Sequence, residues 1–344
     1  MNRGLIFGKF MPLHRGHIRI INESATLCDH LDIVISYNDE VQKELLKTMG
    51  VNREINQKHI LRWMRETYKE LNHISVYLVD ESDIPPFPLG CSQWADRVIK
   101  TTGHSPDFIF SSEREHAVLE QYFPGSKHLL IDSNRINVPI SATQMREEGI
   151  YRHWEYLAGI CRPFFVFKVA IIGTESTGKT TLCRYLAKHY ATSWVSEIGK
   201  EYIYDYCGGS EDNLMFEDYG RMALFHKLAE EKAYRNSNKL TILDTEGIVT
   251  QYYCRLYEGK SDPVTDALIK NRQDYDLWIH LTPDVEWVDD GLRSMGAPGQ
   301  RQRNDALLRE MLAEYGVNQY HSLAGNYNDR LKQAIALIDS KMNS

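Results

Sequence analysis

A phosphate-binding pattern, G-x-x-x-x-G-K-[ST], runs from Gly173 to Thr180. It lies between an apolar run that ends at Ile172 and a helical pattern over 182–189, as a phosphate-binding loop requires. Its glycines let backbone N–H groups turn toward a phosphate, Lys179 reaches the outer phosphates, and the Thr180 hydroxyl suits Mg²⁺. A glycine-rich turn without a ligand is the alternative. The residues expected at this ATP site are Gly173, Thr174, Glu175, Ser176, Thr177, Gly178, Lys179, Thr180 and Thr181.

Two carboxylates follow apolar runs in the same half of the chain. Asp244 comes directly after the run 240–243, and Glu197 ends the shorter run 194–196. Ligands collect at the carboxyl ends of strands in open α/β sheets. We therefore expect Asp244 beside the Mg²⁺, and Glu197 as the group that accepts the proton of an attacking hydroxyl. Either side chain could instead cap a helix or lie in a solvated turn.

Three arginines accompany a segment rich in glycine and proline. The segment 291–299 is too flexible in composition for a core element. Arginines on a mobile loop can close over transferring phosphates, neutralise developing charge and exclude water. We expect Arg293, Arg301 and Arg303 to form such a lid, and a solvated basic loop is the alternative.

Two histidines lie near the start of the chain, in the sequence G-K-F-M-P-L-H-R-G-H that begins at Gly8. The motif follows the first apolar run and opens a helical pattern, so His14 and His17 stand at a helix N-terminus. There they can donate hydrogen bonds to a triphosphate, and Gly16 permits close approach of the backbone. Zinc is a competing ligand, but two histidines need further ligands and no Cys or carboxylate cluster accompanies them. Structural histidines are the other alternative.

The segment I-S-A-T-Q-M-R, later in the same half, predicts a second phosphate contact. Ser141 and Gln144 have the spacing of a capping box, so a short helix begins there and Gly149 can end it. Ser141, Thr143 and Arg146 would present donors to the outer phosphates, since capping alone does not explain the whole pattern. The residues expected at this second ATP site are Gly8, Lys9, Phe10, His14, His17, Ser141, Thr143 and Arg146.

Apolar runs of strand length alternate with helical patterns along the chain, which indicates an α/β fold with parallel sheets. We predict helices over 18–28 and 57–68 and a domain boundary near residue 160. The predicted strands are 5–7, 31–36, 74–79, 108–111 and 127–131 in the first half, and 165–172, 194–196, 240–243 and 277–281 in the second.

Composition limits the class of protein. The chain has 344 residues, 42% of them hydrophobic and 25% charged, which suits a globular protein with two cores. A net charge of −7 without clustered Lys and Arg argues against nucleic-acid binding. The longest nearly apolar stretch, 163–172, is too short to span a membrane, and no secretory signal is evident. We expect a cytoplasmic protein whose six scattered cysteines are reduced.

The motifs together resemble known families. G-K-F-x-P-x-H-x-G-H with I-S-x-T-x-x-R resembles the nucleotidyltransferase superfamily, and the phosphate-loop half resembles nucleoside kinases. Their combination, with Trp94 in S-Q-W-A-D-R-V and with S-S-E from Ser111, is similar to NadR-type bifunctional enzymes over essentially the whole chain. This resemblance implies a Rossmann-like nucleotidyltransferase domain, 1–160, followed by a P-loop kinase domain, 161–344.

The resemblance also implies two reactions. ATP would phosphorylate nicotinamide riboside to the mononucleotide NMN, and the NMN phosphate would attack the α-phosphorus of a second ATP to give NAD and pyrophosphate. Both transfers need positioning, Mg²⁺ and charge neutralisation rather than a nucleophilic side chain. Trp94 would stack on the nicotinamide, although a core tryptophan is the alternative. Candidates for binding the riboside are Trp287, Asp289, Asp290, Tyr252 and Tyr253.

One departure from the family and two other functions bear on these expectations. The first motif already begins at Gly8, so we expect neither the DNA-binding helix-turn-helix of some members nor their repressor role. A transferase for another phosphorylated acceptor would leave the kinase half and Trp94 unexplained. A non-catalytic nucleotide sensor often loses groups such as Lys179 and Asp244, which are present here. The sequence leaves open whether the chain forms a homo-oligomer.

Overall fold

Two five-stranded parallel sheets organise the residues that the computed structural model describes, which are 1–51, 53–134, 136–272, 275–285 and 299–343. Each sheet belongs to its own unit of the chain, Met1–Arg162 or Pro163–Ser344. The expected fold class, α/β with two parallel-sheet domains, is confirmed. None of the helices described is long and apolar enough to cross a membrane.

The first sheet has the strand order β3-β2-β1-β4-β5, and all its neighbours are parallel. Its strands are β1 (Arg3–Gly8), β2 (His30–Tyr37), β3 (Ile74–Asp80), β4 (Phe108–Ser111) and β5 (Lys127–Leu130). The chain runs outward from β1 to β3 and then returns to β4 on the other side of β1. This reversal opens a crevice at the carboxyl ends of β1 and β4, where such folds bind ligands.

Helices follow most of these strands. Those of the first unit are α1 (Arg15–Ala25), α2 (Asp39–Thr48), α3 (Gln57–Tyr68), α4 (Cys91–Thr102) and α5 (Ala142–Glu147), with 3₁₀ turns at Arg114–Gln121 and Trp154–Tyr156. Helix α1 begins directly after the first motif, with His14 as its N-cap. The predicted helix over 18–28 is therefore present but begins at Arg15, because the histidine supplies the capping acceptor, and it ends at Ala25.

The second sheet has the strand order β10-β9-β6-β8-β7 and is also parallel throughout. Its strands are β6 (Phe167–Ile172), β7 (Trp194–Val195), β8 (Leu240–Asp244), β9 (Leu277–Leu281) and β10 (His321–Leu323). Strands β6, β8 and β9 are buried along their whole length, as expected for a sheet covered on both faces.

The helices of the second unit surround this sheet. They are α6 (Arg162–Phe165), α7 (Lys179–His189), α8 (Ile198–Tyr206), α9 (Phe216–Asn236), α10 (Gly247–Glu258), α11 (Pro263–Lys270), α12 (Gln300–Glu314) and α13 (Tyr327–Met342), with a 3₁₀ turn at Glu211–Asn213. Helix α6 starts in the last residue of the first unit.

The observed strands differ most from the predicted ones at the start of β6 and at β10. Phe165 lies in α6, where Pro163 fits the first helical turn because an N–H there has no partner within the helix. Strand β10 was not predicted, since three residues are too few to show a periodic pattern. All six cysteines are free thiols, as expected, and five of them are buried.

Candidate nucleotide sites

The phosphate loop of the second unit lies between β6 and α7, where the motif predicts it. Gly173 and Gly178 have φ values of 152° and 85°, which side-chain-bearing residues rarely adopt. A Cβ at Gly178 would also lie 2.7 Å from Cε1 of Tyr327. The Lys179 ammonium is buried and donates a 3.1 Å hydrogen bond to the Thr174 carbonyl. The loop is thus folded around its own lysine.

Thr180 and Asp244 meet at the carboxyl ends of β6 and β8. The parallel register sets Asp244 beside Ile171, close to the start of the loop. The Thr180 hydroxyl donates a 2.6 Å hydrogen bond to Oδ2 of the buried Asp244. A hydroxyl and a carboxylate are hard oxygen donors of the kind that Mg²⁺ uses together with nucleotide phosphates. Within the described residues no group of three His, Cys, Asp or Glu is arranged to hold a metal by itself.

Two arginines tie the phosphate loop to distant elements. Arg301, in the first turn of α12, donates to the carbonyls of Ser176 (3.3 Å) and Val285 (2.7 Å). Arg303 is exposed on the same helix. Arg330 of α13 is buried and donates to the Thr177 carbonyl, a contact that no local pattern predicts because it spans 153 residues. The predicted lid residue Arg293 lies outside the described residues.

A cavity lies beside this loop, with Glu197, Lys200, Thr245, Thr250 and His226 on its polar side. Its other lining residues, mostly apolar or aromatic, are Ile198, Gly199, Ile203, Glu211, Leu214, Tyr219, Met222, Tyr253 and Tyr257. The Tyr257 hydroxyl donates to Glu175 of the phosphate loop over 3.5 Å, so the cavity adjoins the nucleotide site.

The tyrosine prediction needs a correction. Tyr252 is only 1% exposed and packs in the core, whereas its neighbour Tyr253 lines the cavity. Both residues lie on α10, and adjacent helical positions face different directions. The candidates Trp287, Asp289 and Asp290 lie outside the described residues.

The two motif histidines of the first unit lie against each other. Their ring centroids are 3.8 Å apart, and both rings line a cavity at the carboxyl ends of β1 and β4. Nδ1 of His14 accepts a 3.1 Å hydrogen bond from the Gly16 N–H. A neutral ring that accepts at Nδ1 carries its proton on Nε2 and can donate from there. A Cβ on Gly16 would lie 2.7 Å from the His14 ring, so packing explains this glycine.

Helix α5 brings the second motif to the same cavity. Ser141 and Thr143 line it together with Phe10. Arg146 does not line it and instead donates to the Met11 carbonyl (2.7 Å) and to the Thr143 hydroxyl (2.9 Å). Burial lowers the pKa of this guanidinium. In this structure Arg146 therefore fastens α5 to the loop after β1.

The capping box is formed only in part. The Ser141 hydroxyl accepts from the Gln144 N–H at 3.0 Å, as expected. The Gln144 side chain donates to Glu148 instead of returning to the N-cap. Residues one turn apart on a helix are close neighbours, and the charged carboxylate is the stronger acceptor.

A second cavity of the first unit holds Trp94, Gly8 and Lys9. Gly8 and Lys9 were expected at the ATP site, and in the structure they line this cavity instead of the one that holds the histidines. The Lys9 ammonium pairs with Glu81 at 2.5 Å. Trp94 is 7% exposed, and its indole N–H donates to the Ser36 hydroxyl at 3.0 Å. Trp94 therefore belongs both to the core and to the cavity wall.

Sequence reasoning missed two residues of these cavities. Glu81 follows β3 and pairs with Lys9. His116 lines both of the cavities described above, as does Phe7, and the two rings are 4.9 Å apart. Burial lowers the pKa of His116, which favours the neutral ring. Neither residue belongs to a recognisable motif, so only the packing of separate strands reveals them.

The fold and these sites define an α/β protein in which a Rossmann-like nucleotide-binding unit is followed along the chain by a P-loop unit. Residues 168–330 match the family described as AAA domain. The chain is 34% identical over 344 residues to the "Trifunctional NAD biosynthesis/regulator protein NadR" of Salmonella typhimurium strain LT2, covering 99% of this chain and 83% of that protein. It is likewise 34% identical to the protein of that name in Escherichia coli strain K12, covering 98% and 83%.

Solved structures agree with these relatives. A NadR protein in complex with NR has a TM-score of 0.83 at 27% identity, covering all of this chain and 96% of that one. A NadR protein in complex with NAD and AMP-PNP has a TM-score of 0.80 at 26% identity, with the same coverage. The chain belongs to the NadR family.

Proposed function

We propose that this enzyme carries out two consecutive steps of NAD salvage. In the first step ATP phosphorylates nicotinamide riboside to NMN, and in the second step NMN takes an adenylyl group from ATP to give NAD and pyrophosphate. The observation that carries the proposal is the presence, in one chain, of the Thr180–Asp244 pair and the His14–His17 pair. The NR, NAD and AMP-PNP complexes of NadR proteins support these substrates.

The riboside kinase is assigned to the second unit, Pro163–Ser344. Backbone N–H groups of the phosphate loop and the Lys179 ammonium would hold the outer phosphates of ATP. Mg²⁺ would be bound by Thr180 and Asp244, and it would neutralise charge on the β- and γ-phosphates. Glu197 would take the proton of the 5′-hydroxyl as that oxygen attacks the γ-phosphorus and ADP leaves. Arg301 would steady the loop through the Ser176 carbonyl.

The adenylyltransferase is assigned to the first unit, Met1–Arg162. His14 and His17 would donate hydrogen bonds to the ATP phosphates and stabilise the charge that develops as the NMN phosphate attacks the α-phosphorus. Ser141 and Thr143 would add hydroxyl donors from α5. Arg146 would act by positioning Thr143 and the loop at Met11.

The cavity at Trp94 is assigned to the nicotinamide of NMN. Phe7 packs on the indole with ring centroids 4.8 Å apart, which fixes the plane that a pyridinium ring would meet. A cation beside an indole face is favourable by roughly 0.5 to 2 kcal/mol. Lys9 and Glu81 lie at the same cavity and can contact the polar part of NMN.

One assay tests the whole assignment. The protein is incubated with nicotinamide riboside, ATP and Mg²⁺, and the products are separated by chromatography. We expect NMN first and then NAD, with NAD formed directly when NMN is supplied. Absence of both products, together with turnover of another phosphorylated acceptor, would contradict the proposal. The assignment of residues to roles, the use of Mg²⁺ and a cytoplasmic location stay predictions.

A further inference from the structure

A buried imidazole and a buried carboxylate lie one turn apart on α9. His226 is 5% exposed and Glu230 is 2% exposed. Nδ1 of His226 is 3.1 Å from Oε1 of Glu230. Neither residue belongs to a sequence motif, and neither has a part in the phosphate chemistry described above.

Glu230 is held as an anion by its surroundings. The Tyr275 hydroxyl donates to Oε1 at 2.6 Å, and the Tyr234 hydroxyl donates to Oε2 at 2.9 Å. The Lys227 ammonium lies 3.4 Å from Oε2. Burial alone would raise the pKa of Glu230, but the hydrogen bond from His226 and the charges nearby lower it to about 2. A carboxylate without a proton can only accept, so Nδ1 of His226 is the donor.

When Nδ1 of a neutral imidazole donates, the other ring nitrogen, Nε2, is the acceptor. His226 lines the cavity beside the phosphate loop. Its Nε2 is buried, and it has no hydrogen-bond partner among the residues that the structure describes. A buried polar atom without a partner is unfavourable and requires an explanation, and for an atom that lines a cavity a bound molecule is one explanation.

We propose that Nε2 of His226 accepts a hydrogen bond from the nucleoside that the kinase unit phosphorylates, and that Glu230 is a positioning residue for the ring. The donor on the nucleoside is a ribose hydroxyl or the carboxamide N–H. This inference rests on the proposed riboside kinase activity and assigns His226 to recognition of the substrate.

Two substitutions at one position separate the roles of the two ring nitrogens. In His226→Asn the amide can replace Nδ1 and keep the contact with Glu230, but nothing replaces Nε2. In His226→Gln the longer side chain places an amide oxygen near the position of Nε2. We expect His226→Asn to raise the KM for nicotinamide riboside about 3- to 30-fold, the scale of one lost hydrogen bond. His226→Gln should recover part of this loss, and neither variant should change the KM for ATP.

A second histidine provides a matched control. His280 is also buried beside a carboxylate, with Nε2 2.7 Å from Asp305, but its Nδ1 lies 3.3 Å from the Ser322 hydroxyl. Both of its nitrogens have protein partners, so His280→Asn should leave the KM for the riboside unchanged even if it lowers stability. Adenylyl transfer to supplied NMN, measured on the same samples, reports the amount of active protein.

Substrate analogues identify the donor. Nicotinate riboside lacks the carboxamide N–H, and the 2′- and 3′-deoxy ribosides each lack one hydroxyl. The analogue that lacks the donor should be bound equally by the original protein and by His226→Asn. Glu230→Gln should raise the KM for nicotinamide riboside less than His226→Asn does, with kcat nearly unchanged.

Several outcomes would overturn the inference. These are an unchanged KM for nicotinamide riboside in His226→Asn, a decrease in kcat without a change in this KM, or an equal increase in KM for every analogue. If the original protein does not phosphorylate the riboside at all, the proposed function fails instead. The two failures are therefore distinguishable.

Discussion

The two nucleotide sites of this chain are built in different ways. The phosphate loop is one continuous segment, and its glycines, lysine and threonine follow one another between β6 and α7. The site of the first unit is assembled from the loop after β1, the start of α1 and the first turn of α5, and α5 follows α1 more than 100 residues later in the chain. Continuous sites depend on local backbone geometry, whereas assembled sites depend on the packing of the whole unit.

The sites also differ in the charges that they bury. The second unit buries the Lys179 ammonium and the Asp244 carboxylate at its phosphate loop. The first unit places imidazoles at its site. The Lys9 ammonium of this unit pairs with the Glu81 carboxylate, and the Arg146 guanidinium donates to the Met11 carbonyl. A buried charge is costly to leave unpaired, so we expect the kinase to be the more sensitive of the two activities to loss of one side chain.

Lys179→Ala should have the largest effect. It removes the ammonium that we propose holds the outer phosphates of ATP, so riboside phosphorylation should fall by about 10³-fold or more, the scale of a cation on a transferring phosphoryl group. Adenylyl transfer to supplied NMN should be nearly unchanged. Both rates are measured on one preparation, and Lys188→Ala, an exposed lysine near the end of the same helix, is the control. Equal loss of both activities would show that the sites are not separate.

His17→Ala should produce the opposite pattern. Loss of one donor to the developing charge should lower the kcat of adenylyl transfer roughly 10²- to 10³-fold. Riboside phosphorylation should continue, so NMN should accumulate when both substrates are present. The control is His153→Ala, because His153 pairs with Glu148 in the same unit and does not line the cavity. A small change in adenylyl transfer would assign His17 a structural role.

The difference between the sites also decides what could be predicted from the sequence. The phosphate loop, Asp244 and nearly all strands follow from local patterns, because each depends on residues close together in the chain. Lys9 was expected beside the histidines but pairs with Glu81, 72 residues away. His116, His226 and Arg330 were not predicted, since their surroundings exist only after distant elements pack. The sequence also does not distinguish Tyr252 from Tyr253, because which side of α10 packs in the core depends on how the helix is oriented.

Trp94→Ala tests the assembled site with a smaller effect. If nicotinamide stacks on the indole, the KM for NMN should rise about 2- to 30-fold, which corresponds to roughly 0.5 to 2 kcal/mol. Stacking persists in the ground state and the transition state, so kcat should change much less. Trp94→Phe keeps an aromatic face and should recover part of the loss. A comparable rise in the KM for ATP would instead indicate that the core around Phe7 and Phe123 has collapsed.

The smallest effect concerns pH and sharpens the contrast between the units. Glu246 is the N-cap of α10 and is buried, and its Oε1 accepts from the Ile248 N–H at 2.7 Å. Burial raises the pKa of Glu246 to about 7. In the first unit, burial raises the pKa of Asp32 to about 6. A raised carboxyl pKa favours the folded state at low pH, and that contribution is lost as pH rises through the folded-state pKa.

The carboxyl of Glu246 therefore loses its proton over a higher pH range than the carboxyl of Asp32 does. Between pH 6 and pH 8 its contribution to the stability of the second unit should fall by about 1 kcal/mol. Glu246→Gln keeps an oxygen for the Ile248 N–H and has no proton to lose, so its advantage in Tm over the original protein should be about 2–4 °C greater at pH 8 than at pH 6. Calorimetry at both pH values measures this, with Asp32→Asn as the comparison. An advantage that is equal at the two pH values would mean that Glu246 does not hold its proton in the folded state.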